Sequence, residues 1–181
     1  IHGASGGVGM AAVDIGKLLG ATVIATGGSD AKLQRVLAYG ADHVINTENG
    51  FREQVKALTG GLGADVIYDP VGGDIFDEST RCINFDGRLL IIGFTSGRIA
   101  SVPTNIPLIK GFSVMGVRAG EYGRQFPEKG AENLQTIWDW VRAGKTKPHV
   151  HAELPLSQSV DGFRMLQQRE VIGKLVICPD R

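Results

Sequence analysis

The stretch IHGASGGVGMAAVDIGKLLG, residues 1–20, decides how the rest of the chain is read. It starts apolar, breaks into glycines at positions 3, 6, 7 and 9, and passes directly into helical spacing. Ala11, Ile15, Leu18 and Leu19 form the predicted apolar face and Gly20 the stop. A strand, a glycine turn and an immediate helix leave backbone N–H groups free at a helix N-terminus. Those donors and the positive end of the helix dipole suit a phosphate anion. A side chain at Gly6 or Gly7 would hold a pyrophosphate off, and Gly9 permits close packing of helix on strand. The strict G-x-G-x-x-G pattern is not met, because Ala4 stands in the place of the first glycine. A tight structural turn explains such glycines equally well, so the flanking sequence has to decide.

That sequence repeats one unit. ATVIAT (21–26) reads as a strand and SDAKLQRVLAYG (29–40) as a helix, with Ser29 as N-cap and Gly40 past its end. DHVINT (42–47) and FREQVKALTG (51–60) repeat the pair. ADVIYDPVGG (64–73) is a strand running into a turn, DIFDESTRCIN (74–84) a helix, and GRLLIIGF (87–94) the fifth strand. A Pro-containing connection from Arg98 to Pro107 leads to the sixth, GFSVMGV (111–117), and AENLQTIWDWVRAG (131–144) is a long helix. Strands apolar on both faces, alternating with amphipathic helices, predict an α/β fold: a doubly wound, parallel, six-stranded Rossmann sheet. The character changes at Pro148. The chain therefore divides into a dinucleotide-binding domain over 1–147 and a C-terminal segment over 148–181, read as a short extended piece, a helix and a terminal strand.

Composition excludes several function classes. The 181 residues are 43% hydrophobic and 21% charged, enough for one domain with a full core. Lys plus Arg and Asp plus Glu both number 19, so no global field draws the chain to nucleic acid or to an anionic membrane. The longest apolar runs are too short to span a bilayer. Cys82 and Cys178 stand without a C-x-x-C pair or neighbouring histidines, so no metal site is expected, and a reducing, cytoplasmic setting is.

The second strand carries the choice of dinucleotide. An NAD site places an acid at its end to bind the ribose hydroxyls, whereas here Thr26, Gly27 and Gly28 fill that corner. Glycines leave room for a 2′-phosphate; Ser29 donates a hydrogen bond and Lys32 a charge-assisted one. The corner favours NADPH over NADH. Against this, Ser29 also reads as a helix cap, Lys32 as a solvated lysine, and Asp30 as a competitor for it.

No catalytic residue is nominated. His2 and His43 read as structural, and His149 and His151 as two exposed imidazoles without a third ligand. Trp138 and Trp140, two apart on a helix, cannot share one face. Tyr39, Tyr68 and Tyr122 all lack the Y-x-x-x-K pairing of short-chain dehydrogenases.

HGASGGVG, GADHVINT, DPVGG, GRLLIIGF and the closing GKLVI, in this order along nearly the whole chain, resemble the zinc-independent, zeta-crystallin-like quinone oxidoreductases. These form part of the medium-chain dehydrogenase/reductase superfamily. In that family the cofactor domain follows a GroES-like catalytic domain, so the resemblance implies a piece cut inside its first strand and a tail that returns to the catalytic domain. It further implies that Ser5, Gly6, Gly7, Val8 and Gly9 hold the pyrophosphate. Gly28, Ser29 and Lys32 would surround the 2′-phosphate, with Asn46 and Thr47 beside the adenosine. Asp69 and Val71 would approach the cofactor, with helix capping the equal alternative for Asp69, and Ile92, Gly93, Phe94 and Val117 would lie toward the nicotinamide. The implied reaction is hydride transfer from NADPH to a quinone or an α,β-unsaturated carbonyl compound, a small-molecule electron acceptor. The piece alone is expected to be inactive, and a homodimer is expected to form through the sixth strand, whose edge carries no inward charge or proline. Two other readings stay open: an enoyl-thioester reductase of the same superfamily, and a non-enzymatic nucleotide- or RNA-binding module, which the neutral charge disfavours.

Overall fold

The computed structural model describes residues 1–146 and 148–179. In chain order it runs α1 (Gly7–Leu18), β1 (Ile24–Gly27), α2 (Asp30–Tyr39), β2 (His43–Asn46), α3 (Arg52–Leu58), β3 (Ala64–Asp69), α4 (Gly73–Ser79) and β4 (Ile83–Ile91). Then follow α5 (Asn105–Lys110), β5 (Ser113–Gly116), α6 (Ala119–Gln125), α7 (Pro127–Arg142), β6 (Val150–Pro155), a 3-10 turn, α8 (Ser159–Gln167) and β7 (Lys174–Cys178).

The class is the α/β one expected, with every named strand pair parallel. The count of six regular strands is corrected. Regular pairing joins β1 to β2, and β3 through β4 to β5, as two separate pieces. Residues 1–4 lie between the pieces without forming a regular strand, because Gly3 turns out of extended geometry at φ +57°. They still stitch the sheet together. Thr26 N–H donates to the Ile1 carbonyl at 2.8 Å and Ala4 N–H to the Thr26 carbonyl at 3.0 Å, while His2 N–H reaches the Tyr68 carbonyl at 3.0 Å. The spatial order is thus β2, β1, residues 1–4, β3, β4, β5, the 3-2-1-4-5-6 order of a doubly wound sheet.

The core has two parts. Ala4, Val13, Val23, Ala25, Val36 and Ala41 pack beneath α1 and α2. Ile45, Phe51, Val55, Ile67, Phe76, Cys82, Ile83, Leu89 and Phe112 pack with α3 and α4. Two expectations change here. The buried face of α1 is Gly9, Met10 and Val13 rather than Ala11, Ile15, Leu18 and Leu19; Ile15 and Leu19 are exposed. The helix is rotated by the contact of Gly9 with the backbone of Ala4. The helix read over 74–84 ends at Ser79, because Ile83 already pairs with Ala64 in the sheet. Of the two tryptophans Trp140 is half-buried and Trp138 exposed.

His2 ties the halves of the core together. It is buried, with Nδ1 2.7 Å from Thr26 Oγ1 and Nε2 2.8 Å from Ser79 Oγ. Since Ser79 Oγ–H donates to the Ile75 carbonyl, Nε2 carries the proton and Thr26 donates to Nδ1. Burial drives the imidazole well below its usual range, so it stays neutral. The structural reading of His2 holds. Among the described residues no helix is long and apolar enough to cross a membrane.

The C-terminal segment docks on the glycine turn. β6 and β7 pair in parallel, Gly173 bridges to Gly6, and Gly173 N–H donates to the Ser5 carbonyl at 2.8 Å.

Candidate functional site

The positions read as binding residues follow the C-terminal ends of the central strands in spatial order, along the edge where open α/β sheets bind ligands. The first group is the turn into α1. Its N-cap is Gly6, no side chain caps it and no acid stands in its first turn, so the amides of Gly7, Val8 and Gly9 have no carbonyl within the helix to meet. Gly9 is demanded by packing: a Cβ there would lie 2.4 Å from the Gly3 carbonyl oxygen and 2.6 Å from Ala4 Cα, both backbone atoms that cannot give way. A Cβ on Gly6 would meet only the Gly3 oxygen, at 3.5 Å. Gly7 answers a demand the sequence did not reveal. Its Cβ would lie 3.0 Å from both the Gly173 oxygen and the Lys174 ammonium, so its missing side chain makes room for the tail.

The second group is the corner after β1. Gly28 is open, with nothing within 4 Å of a Cβ. Ser29 does occupy the N-cap position of α2, yet its hydroxyl makes no capping bond. Asp30 does not compete for Lys32; its carboxylate accepts a hydrogen bond from Asn46 Nδ2 at 2.8 Å. Lys32 is engaged elsewhere. Its ammonium donates to the carbonyls of Arg169 and, at 3.1 Å, Val171. Burial lowers its pKa, Glu170 raising it and Arg169 lowering it further. Arg169 and Glu170 therefore belong to this corner, and no spacing in the sequence signals it. Thr47 is fixed there through its N–H on the Gly27 carbonyl, at 3.0 Å.

The third group lies over β3 and β4. Asp69 is buried, and its Oδ1 accepts the N–H groups of Val71 at 2.8 Å and Gly72 at 2.9 Å. Helix capping, one of its two readings, is not what the geometry displays: the cap of α4 is Gly72, and Asp69 braces the turn before it instead. Burial raises the carboxyl, opposed by those two amides. Ile92 N–H donates to the Asp69 carbonyl at 2.9 Å. Gly93 follows, Phe94 is partly exposed, and Val117 closes the row through its N–H on the Ile91 carbonyl, at 3.0 Å. The arrangement offers an elongated ligand an anion cradle in its middle, a small-residue corner with a cation at one end and apolar contacts at the other.

A cavity of about 170 Å³ between α1, α7 and the tail, lined by Met10, Ile15, Trp140 and Val141, meets this edge only at Gly7. Among the described residues no three His, Cys, Asp or Glu side chains gather to hold a metal ion.

Comparison with known proteins adds the family. The family described as zinc-binding dehydrogenase matches residues 7–137. Quinone oxidoreductase-like protein 2 of Bos taurus is 36% identical over 179 residues, covering 98% of this chain and 51% of its own length. A 2-haloacrylate reductase of a Burkholderia species is 30% identical, covering 99% and 54%. Among solved structures, Escherichia coli quinone oxidoreductase complexed with NADPH superposes with a TM-score of 0.84 at 32% identity, over 98% of this chain and 56% of that one. The chain spans about half the length of the curated relatives it matches.

Proposed function

Because the chain belongs to the zinc-binding dehydrogenase family, we propose that it is the NADPH-binding part of an oxidoreductase that passes hydride to a quinone or an α,β-unsaturated carbonyl compound without using zinc. The observation that carries this reading is the corner after β1: Gly28 is open where an NAD site carries an acid, the Ser29 hydroxyl makes no capping bond, and the Lys32 ammonium is held by the tail carbonyls, with Asp30 and Glu170 nearby. The pairing of a quinone oxidoreductase-like relative with a 2-haloacrylate reductase supports electron-poor acceptors as the substrate class.

NADPH, when bound, supplies the hydride. The chain's own residues do the holding. The amides of Gly7 and Val8 take the pyrophosphate, Ser29 and Lys32 take the 2′-phosphate, and Asn46 and Thr47 border the adenosine. Val71, Ile92, Gly93, Phe94 and Val117 give the nicotinamide an apolar bed that keeps water from one face. Residues 1–147 form the binding domain, and the tail leads toward a further catalytic domain that shapes the acceptor's cleft.

We further propose a homodimer through β5, the strand read sixth in the sequence, whose far edge is unpaired among the described residues. Phe85, against Gly111 just before that strand, and Leu108 and Ile109 are all strongly exposed.

The test is calorimetric titration of this chain with NADPH beside an NADPH:quinone assay. Saturable one-to-one binding without quinone turnover is expected. Absence of binding contradicts the cofactor assignment, and robust turnover contradicts the need for a further domain.

A further inference from the structure

We propose that Arg98 is a positioning residue for the nicotinamide half of the site, an inference that rests on the NADPH reading above. After Gly93 the chain folds back over the Pro70–Gly73 turn. Thr95 N–H donates to the Pro70 carbonyl at 3.1 Å, Ser96 N–H to the Val71 carbonyl at 3.0 Å, and Gly97 N–H to the Phe94 carbonyl at 2.9 Å. Those bonds fasten the near side of the loop. Arg98 fastens the far side: its Nη2 donates to Asp74 Oδ1 at 2.9 Å and to Asp77 Oδ2. Asp74 and Asp77 stand three apart on α4, hence on one face, and a single guanidinium bridges them.

The loop sits directly on the turn because the turn has no side chains there. A Cβ on Gly72 would lie 3.1 Å from Phe94 Cδ1 and 3.2 Å from the Arg98 carbonyl oxygen; one on Gly73 would lie 2.8 Å from Ser96 Oγ. Both glycines have positive φ, +70° and +59°, so substitution is resisted by conformation as well as by space. Ile92 and Gly93 are tied by their own amides to the Asp69 carbonyl, at 2.9 and 3.4 Å. Among the described residues the Phe94 amide has no such tie to the sheet. One edge of its ring rests on Gly72 and 44% of the residue is exposed, so its place depends on the loop, and the loop's outer end depends on Arg98.

An exposed ion pair adds little to global stability. Its effect here is local: a loop already held in one conformation loses less entropy when a ligand settles against Phe94. The adenosine corner at Gly28 and Lys32 lies at the other end of the row and is unaffected.

The experiment titrates wild type, Arg98→Ala and Arg98→Lys with NADPH and with adenosine 2′,5′-bisphosphate, which has the 2′-phosphate but no nicotinamide. Arg98→Ala is expected to weaken NADPH binding about three- to tenfold while leaving the bisphosphate and the melting temperature unchanged. Arg98→Lys recovers part of the loss. An Asp74→Asn/Asp77→Asn double variant reproduces it, and adding Arg98→Ala to that variant causes no further loss. Equal weakening of both ligands, or unchanged NADPH affinity in Arg98→Ala, overturns the positioning role alone. A wild type that binds neither ligand overturns the site reading, and the role of Arg98 with it.

Discussion

Lys32 reaches across 139 positions of chain to place its ammonium 3.1 Å from the carbonyl oxygen of Val171. The same ammonium meets the Arg169 carbonyl, so one side chain belongs both to the corner read for a 2′-phosphate and to the docking of the tail. Lys32→Ala should therefore loosen the tail as well as the corner. Half-exposed charge-assisted bonds of this kind contribute about 1 kcal/mol after allowance for screening. Hydrogen exchange of the Val171 and Gly173 amides should quicken in the variant while that of β3 and β4 stays constant. Unchanged exchange at Gly173 would show the tail to be held by Ser5 and Gly6 alone.

Gly9 should tolerate no side chain. A methyl group there meets the backbone of Gly3 and Ala4 at 2.4 and 2.6 Å, and only movement of α1 away from the sheet relieves it. Overpacking of this kind costs about 1–3 kcal/mol. Gly9→Ala should lower the melting temperature by several degrees, whereas Gly28→Ala, facing open space, should leave it in place. Equal melting temperatures for the two variants would contradict the close approach.

His2 makes stability depend on pH. The folded chain holds it neutral, while the unfolded chain takes up a proton near the ordinary value of 6.5. Below that pH the unfolded state binds more protons, so stability is complete above about pH 6.5 and falls as the pH drops, by up to about 1.4 kcal/mol per unit. Asp69, raised by burial, opposes this nearer the carboxylate range. Denaturant unfolding between pH 8 and 5 should show the decline, and His2→Gln should flatten its lower part. A variant with the wild-type slope there would place the titrating group elsewhere.

The β5 edge should set the oligomeric state. Light scattering should give twice the 19.3 kDa chain mass. Leu108→Asp with Ile109→Asp should give the single mass without loss of melting temperature, since both side chains are exposed in the monomer. A monomeric wild type, or a dimer indifferent to these changes, would contradict the proposed edge.

What was legible in the sequence was whatever local chemistry specifies. Ser29 and Gly40 bracket α2 at the residues expected, because a cap position and a positive-φ stop are set within a few residues of the helix. The glycine turn and the row of strand ends followed from the same punctuation. Features set by distant partners were not legible. The rotation of α1 depends on Gly9 meeting Ala4, the end of α4 on Ile83 pairing with Ala64, and the partners of Lys32 on a tail more than 130 residues away. The short helix α5 begins in the stretch read as a connection; it carries Pro107 inside it, and a proline within a helical pattern argues against the helix, while α6 falls between the elements read from the sequence. For Asp69 the sequence offered a cofactor contact or a helix cap; the bracing of the turn through the amides of Val71 and Gly72 is neither, because it depends on how the chain bends after β3.

The central claim, a dinucleotide site selective for a 2′-phosphate, is tested most directly by the ratio of NADPH to NADH affinity in wild type and Lys32→Ala. The account predicts that wild type prefers NADPH by at least tenfold, as one charge-assisted phosphate contact requires. It also predicts that the variant loses most of that preference with little change toward NADH. Equal affinities in wild type, or a preference untouched by removing Lys32, would contradict it.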